Sequence, residues 1–221
     1  MHVGILGGTG PAGSGLAARL ASLDLDVTIG SRAADRAEAK IAELTERWPG
    51  RSLEKRLRPG DNAAAAAADL VVIATPWDGA AVTAGSVADA LAGKVVVSIA
   101  NALAKVGREF EPLVPPRGSV AAHVQHAVPD AYVAAALHHI PARELGDLDH
   151  PVESDVLVCS DHRAATKAAS ELVNLIPGLR ALNAGTLSNA SPIEAFTAVL
   201  LQLNIRYKTH AALRITGIPL D

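Results

Sequence analysis

Residues His2–Gly13 read HVGILGGTGPAG, an apolar run followed by a glycine-rich turn. The run His2–Leu6 is bounded by glycines, which predicts a strand buried on both faces of a parallel sheet. After the turn, Leu16, Leu20 and Leu23 recur at helical spacing. The segment therefore predicts a strand, a glycine turn and a helix, which together begin a βαβ unit.

The rest of the chain repeats this alternation. We expect further strands at Asp26–Gly30, Asp69–Thr75, Lys94–Ile99, Tyr132–Ile140 and Asp155–Ser160, and helices at Ala33–Arg47, at Gly79–Leu91 and from Ile193 onward. Strands that alternate with helices indicate an α/β fold with a doubly wound parallel sheet of the Rossmann type. In the last helix the apolar spacing predicts one buried face, formed by Ile193, Phe196, Leu200, Leu203 and Tyr207.

Domain organisation follows from length and composition. At 221 residues the chain is long enough for one large domain or for a domain with a small second lobe. Its composition shifts near residues 145–155. We expect a Rossmann domain over residues 1–148 and a smaller C-terminal α/β lobe over residues 149–221, which is either separate or continuous with the first.

Charge and cysteine content exclude several classes of protein. With 49% hydrophobic and 19% charged residues and a net charge of −3, the chain has no electrostatic reason to bind nucleic acid or a membrane surface. A single cysteine, Cys159, excludes an internal disulfide framework, and we therefore expect a cytoplasmic protein.

The glycine turn has the spacing G-x-G-x-x-G, at Gly8, Gly10 and Gly13. This motif after a strand and at the start of a helix is typical of dinucleotide binding. The first glycine permits a tight turn, the second lets the backbone approach a pyrophosphate, and the third lets the helix pack on the sheet. The candidate contacts in this turn are Gly8, Thr9, Gly10, Pro11 and Gly13.

The end of the second strand favours NADP over NAD. An NAD site places a carboxylate there, on the ribose hydroxyls, whereas this chain has Gly30-Ser31-Arg32. The planar guanidinium of Arg32 suits a 2′-phosphate, and Ser31 and Thr9 offer hydroxyls. Arg36, one helical turn further on, adds positive charge. The nearby Asp35 keeps NAD open as the alternative.

Thr75, Pro76 and Trp77 come at the end of the strand Asp69–Thr75, where open α/β sheets bind their ligands. Trp77 is therefore a candidate wall for a planar ring. His138 and His139 follow another predicted strand, but adjacent strand residues point to opposite faces and do not readily share a metal ion. We expect no metal site.

These features, with several more specific ones, resemble the NADPH-dependent coenzyme F420 reductases, also called F420H2:NADP oxidoreductases. The resemblance extends along nearly the whole chain, through Gly7–Gly10, Gly30–Arg32, Pro76-Trp77, His138–Ala142, Asp155–Cys159, Gly178–Arg180, Ala184–Asn189 and Arg206–Lys208.

The resemblance implies a homodimeric enzyme that transfers a hydride between NADP(H) and the deazaflavin coenzyme F420, with the C-terminal lobe closing the deazaflavin cleft. It implies that Pro76 and Trp77 surround the reacting rings, beside Thr75, which its place at the strand end makes a candidate cofactor contact. It also implies a deazaflavin site formed by Trp77, His138, Ile140, Ala142, Leu187, Ser188 and Asn189. No catalytic side chain is required for the hydride step, and His138 is a candidate orienting residue. The loop 98–102 is expected to border the cleft.

Two other functions stay open. An NADPH-dependent imine or carbonyl reductase needs a proton donor near the nicotinamide, and His138 and His139 are the candidates. A regulator that senses NADP without turnover needs no second ring-sized pocket.

Overall fold

In the computed structural model, which describes residues 1–219, strands and helices alternate along most of the chain. The strands are β1 (His2–Leu6), β2 (Asp26–Ser31), β3 (Leu57–Asp61), β4 (Leu70–Ile73), β5 (Val95–Ser98), β6 (Leu103–Val106), β7 (Glu109–Pro112), β8 (Tyr132–Ala135), β9 (Ser154–Ser160) and β10 (Leu179–Asn183). The helices are α1 (Pro11–Ser22), α2 (Ala34–Arg47), α3 (Asn62–Ala66), α4 (Trp77–Gly85), α5 (Ala88–Leu91), α6 (Val120–Ala127), α7 (Ala142–Leu145), α8 (Arg163–Asn174) and α9 (Ala190–Tyr207).

Eight strands form one sheet in the order β10-β9-β8-β5-β4-β1-β2-β3. In β1, Val3 pairs in parallel with Val27 of β2 on one side and with Leu70 of β4 on the other. The strand order reverses at this point, because the chain moves outward to β2 and β3 and then returns to β4. The predicted doubly wound α/β sheet is confirmed, and its crevice lies at the carboxyl ends of β1 and β4.

The far side of the sheet contains one antiparallel pair. Ala134 and Ala135 of β8 pair with Ser160 and Cys159 of β9, while β10 runs parallel to β9. Strands from both sides of the predicted boundary at residues 148 and 149 thus belong to one sheet, which the C-terminal strands extend. A functional division into 1–148 and 149–221 stays a prediction.

Several elements differ from the sequence expectations. The structure adds β3 and a two-stranded hairpin, β6–β7, and it divides the expected helix Gly79–Leu91 into α4 and α5. The expected strand Tyr132–Ile140 ends at Ala135, because Leu137 adopts a positive φ of 61° that interrupts the extended backbone.

The last helix, α9, leaves part of its apolar surface exposed. Ile193 and Leu200 are buried, as expected, but Phe196, Leu203 and Tyr207 are exposed. Apolar periodicity identifies a face that avoids water, and it does not say what covers that face. Over residues 1–219, no helix is sufficiently long and apolar to cross a membrane.

Candidate functional site

The glycine turn joins β1 to α1 with little space to spare. Gly7 has a φ of +72°, and a Cβ there would lie 2.5 Å from Cγ2 of Thr75. At Gly13 a Cβ would lie 2.8 Å from the Cα of Gly8 and 3.1 Å from the Cβ of Ala74, so the helix packs closely on the turn and on the residue that follows β4. A Cβ on Gly10 would meet no protein atom closer than 3.6 Å, so its small size leaves room for a ligand rather than for the protein.

The residues expected to select NADP lie beside this turn. The Gly8 N–H donates to the carbonyl of Gly30 at 2.8 Å, which holds the turn against the end of β2. Ser31 is buried at that end, whereas Arg32 and Arg36 are exposed at the start of α2. In residues 1–219 no carboxylate forms an ion pair with either arginine. Both guanidinium groups are available to an anionic ligand.

A cleft of about 450 Å³ opens at the carboxyl edge of the sheet, next to the glycine turn. This volume falls in the usual range for small-molecule sites, about 300 to 1,000 Å³. Eight of the predicted residues line it: Gly10, Pro11, Thr75, Pro76, Trp77, His138, Ile140 and Ala142. Segments far apart in the sequence therefore meet here, because β1, β4 and β8 all end at this edge.

The structure places Leu187, Ser188 and Asn189 away from this cleft, and their contact with a deazaflavin stays a prediction. They form a 3-10 turn outside the cleft, and Leu187 and Ser188 line a separate cavity. The Leu187 N–H donates to the Asp161 carboxylate at 3.0 Å. The physical reason is strand direction: β9 and β10 run antiparallel to β8, so the chain leaves them at the opposite edge of the sheet.

Helix α9 then returns to the cleft and contributes residues that the sequence did not indicate. They are Thr197, Leu200, Leu201 and Asn204. The loop after β5 contributes Ile99, Ala100 and Asn101, in agreement with the expectation that residues 98–102 border the cleft. The helical spacing of α9 was visible in the sequence, but no local signal says which of its faces meets the cleft.

His138 is the principal polar group of the cleft. It lies in the turn after β8 and is 4% exposed, and neither ring nitrogen has a hydrogen-bond partner among the described residues. Burial, together with the neighbouring His139, lowers its pKa to about 3. The ring is therefore neutral at physiological pH, with one nitrogen free to donate and the other to accept.

The surroundings of His138 hold it in place without using its ring. Its carbonyl accepts hydrogen bonds from the Asn101 amide and from the Thr197 hydroxyl. The neighbouring ring of His139 packs edge-on at 5.5 Å and bonds the Asp155 carbonyl at 2.8 Å. The two rings thus lie against each other instead of pointing to opposite faces of a strand. Strand geometry therefore does not argue against a shared metal ion at these two residues.

The cleft offers unsatisfied polar groups to a bound molecule. Besides His138, the Thr75 hydroxyl has no partner within residues 1–219. Buried polar groups in native proteins are normally hydrogen-bonded, so these groups call for a partner from a water molecule or a ligand in the cleft. Trp77 and Ile140 add apolar surface. The arrangement fits a planar ring with polar edges.

The chain matches known proteins along its length. Residues 2–102 match the model of a family described as NADP oxidoreductase, coenzyme F420-dependent. The chain is 37% identical to the F420-dependent NADP reductase of Methanocaldococcus jannaschii over 99% of each chain. It is also 37% identical to the enzyme of that name from Methanothermobacter marburgensis, over 99% of this chain and 100% of the relative.

A solved structure has the same architecture. A candidate F420-dependent NADP reductase from Arthrobacter sp. FB24 superposes with a TM-score of 0.79 and 26% identity, over 97% of this chain and 98% of the other. Together with the near-complete coverage of the two archaeal relatives, this similarity shows that the chain belongs to the family of F420-dependent NADP reductases.

Proposed function

We propose that this protein is an oxidoreductase that transfers a hydride between NADP(H) and coenzyme F420. The observation that carries the proposal is a single cleft that joins a dinucleotide-binding glycine turn, at Gly10 and Pro11, to a second wall formed by Trp77 and Ile140. Both ligands supply the reacting carbons, C4 of the nicotinamide and C5 of the deazaflavin. The chain's own residues bind the rings, orient them and exclude water.

In the proposed NADP site, the glycine turn and the N-terminus of α1 bind the pyrophosphate. Arg32 binds the 2′-phosphate with Ser31 and Thr9, and Arg36 adds positive charge. This assignment is supported by the exposed guanidinium groups beside the turn. The nicotinamide lies against Thr75, Pro76 and Trp77.

In the proposed deazaflavin site, Trp77, Ile140 and Ala142 pack against the ring. The neutral His138 orients it by hydrogen bonding to its polar edge. The unpartnered nitrogens of His138 support this role. Thr197 and Asn204 of α9 border the same space.

The electrostatics of the cleft argue against the imine and carbonyl reductase alternative. Such an enzyme protonates its product, and the candidate donors are His138 and His139, which both line the cleft. With a pKa of about 3, the His138 imidazole is neutral at pH 7 and lacks the imidazolium proton that such a donor would supply. Burial also lowers the pKa of His139, whose ring is hydrogen-bonded to the Asp155 carbonyl. Hydride transfer to a deazaflavin needs no such donor in the hydride step.

The experiment is to mix purified protein with NADPH and coenzyme F420 and to follow the visible absorbance of the deazaflavin. We expect bleaching, and NADPH deuterated at one C4 face is expected to deliver label to C5. Loss of label to solvent would indicate an intermediate carrier. Reduction of an imine or carbonyl without any turnover of coenzyme F420 would overturn the proposal.

The proposal includes a homodimer formed through α9. Phe196, Val199, Leu203 and Tyr207 are between 36% and 68% exposed and repeat every three or four residues, so they form one apolar stripe. We expect light scattering to give twice the chain mass. Leu203→Glu is expected to give a monomer, while Val82→Glu, at an exposed apolar residue on α4, serves as the control. A monomeric wild type would contradict the dimer.

A cytoplasmic location belongs to the same proposal. It is supported by the lone cysteine, Cys159, which is buried in β9. Fractionation of the producing cells tests it.

A further inference from the structure

A buried arginine joins the glycine-turn helix to another element of the cleft. Arg19 of α1 is 4% exposed. Its Nε donates to the Leu145 carbonyl at 3.2 Å. Its Nη2 donates to the carbonyls of Glu144 at 2.9 Å, of His150 at 3.0 Å, and of Asp147. All four acceptors belong to the end of α7 or to the loop that follows it.

One turn earlier on α1, Gly15 brings the two backbones into contact. A Cβ at this position would lie 2.9 Å from the carbonyl oxygen of Ala142 and 3.0 Å from the nitrogen of Gly146. No side chain therefore separates α1 from α7 at this point. Since α7 has only four residues, it is too short to be stable alone, and its position depends on these contacts.

Both helices present residues to the cleft. Pro11 and Ala12 at the start of α1 line it, and so do Ala142 and Leu145 of α7. A shift of α7 relative to α1 would thus move the wall proposed for the deazaflavin relative to the turn proposed for NADP.

We propose that Arg19 is a positioning residue that sets the distance between the two reacting rings by capping α7 against α1. The inference rests on the proposed function and deepens it. Arg19 does not line the cleft. Its guanidinium bonds the Glu144 and Leu145 carbonyls at the end of α7, and the Glu144 carbonyl also accepts from the Asp147 N–H at 3.2 Å. Reaction rates depend steeply on such alignment, and a misplacement of about 1 Å costs on the order of a hundredfold.

The test compares Arg19→Met with a matched variant, Arg51→Met. Arg51 contacts the same loop, donating to the Leu148 carbonyl at 3.2 Å and pairing with Asp149 at 2.7 Å, but within residues 1–219 its hydrogen bonds do not reach α7. For Arg19→Met we expect kcat for hydride transfer to fall by roughly tenfold to a hundredfold. The KM for NADPH is expected to change by less than about threefold, since the glycine turn is intact.

The primary isotope effect with deuterated NADPH is a second readout. It is expected to rise in Arg19→Met, because the chemical step becomes slower than ligand release. Arg51→Met is expected to keep both kcat and the isotope effect of the wild type. If Arg19→Met lowers the melting temperature but leaves kcat and the isotope effect unchanged, Arg19 is purely structural and the proposal is overturned. Equal losses of kcat in Arg19→Met and Arg51→Met would also overturn it.

Gly15→Ala keeps Arg19 but places a methyl group 2.9 Å from the Ala142 carbonyl oxygen, so α7 must shift, and thermal unfolding is measured to check that the variant folds. Its methyl group displaces α7 by a few tenths of an ångström, and a smaller loss of kcat is expected; an unchanged kcat contradicts the inference.

Hydrogen exchange separates the inference from the proposed function, since it needs no turnover. Residues 142–150 are expected to exchange faster in Arg19→Met than in Arg51→Met, and equal exchange rules the positioning role out.

Discussion

The carboxylate of Glu194 on α9 accepts a hydrogen bond from the backbone N–H of Val120 at 2.8 Å, at the start of α6. The adjacent Ala121 N–H bonds the other carboxylate oxygen at 3.1 Å. Glu194 is 4% exposed, and no basic side chain forms an ion pair with it within residues 1–219. Burial raises its pKa from 4.5 to about 7, although the two N–H groups favour the charged form.

Because of Glu194, the free energy of unfolding should therefore decrease as the pH rises. Between its unfolded pKa of 4.5 and its folded pKa of about 7, the native state holds a proton that the unfolded state has released. The Glu194 contribution to the free energy of unfolding thus decreases over this range, by on the order of 3 kcal/mol. Denaturant titrations of the wild type and Glu194→Gln from pH 4.5 to 7.5 isolate this contribution. Parallel pH profiles for the two proteins would contradict it.

Removing the guanidinium of Arg32 should weaken NADPH binding selectively. The loss of a hydrogen bond to a charged group costs about 1.5 to 3 kcal/mol, or roughly 10 to 150-fold in affinity. We expect this loss for NADPH in Arg32→Ala and little change for NADH. Arg47→Ala, at the far end of α2, is the control. Equal losses for both nucleotides would remove Arg32 from phosphate recognition.

Adding a side chain should have different consequences at Gly10 and at Gly13. Gly10→Val is expected to fold, because the nearest protein atom to its Cβ is 3.6 Å away, but to lose NADPH binding. Gly13→Val is expected to destabilise the fold itself, since its Cβ would lie 2.8 Å from Gly8. Gly85→Ala, where a Cβ meets nothing within 4 Å, is the control. Titration calorimetry and thermal unfolding distinguish the two effects; wild-type NADPH affinity in Gly10→Val would contradict the dinucleotide assignment.

His138 should stay neutral well into the acid range. Its pKa of about 3 follows first from burial and then from the adjacent His139. We expect the NMR signals of its ring nitrogens, assigned by comparison with His138→Asn, to show no protonation between pH 8 and pH 5. A midpoint near the ordinary histidine value would mean that the ring is solvated and can serve as an acid.

The order of strand, glycine turn and helix at residues 2–22 was predictable from the sequence because local rules determine it. Apolar periodicity, a glycine at a positive φ and a proline at the first helical position all act within a few residues. The same holds for Ser31 and Arg32, at the end of β2, and for Pro76 and Trp77, shortly after β4.

Tertiary structure decided which distant segments share the cleft. Only long-range hydrogen bonds determine that β9 runs antiparallel to β8, and this direction removes Leu187–Asn189 from the cleft and lets α9 return Thr197 and Asn204 to it. Strand direction depends on pairing with another strand, so no periodicity within β9 encodes it. The burial that keeps His138 neutral likewise arises from packing between segments that the sequence separates.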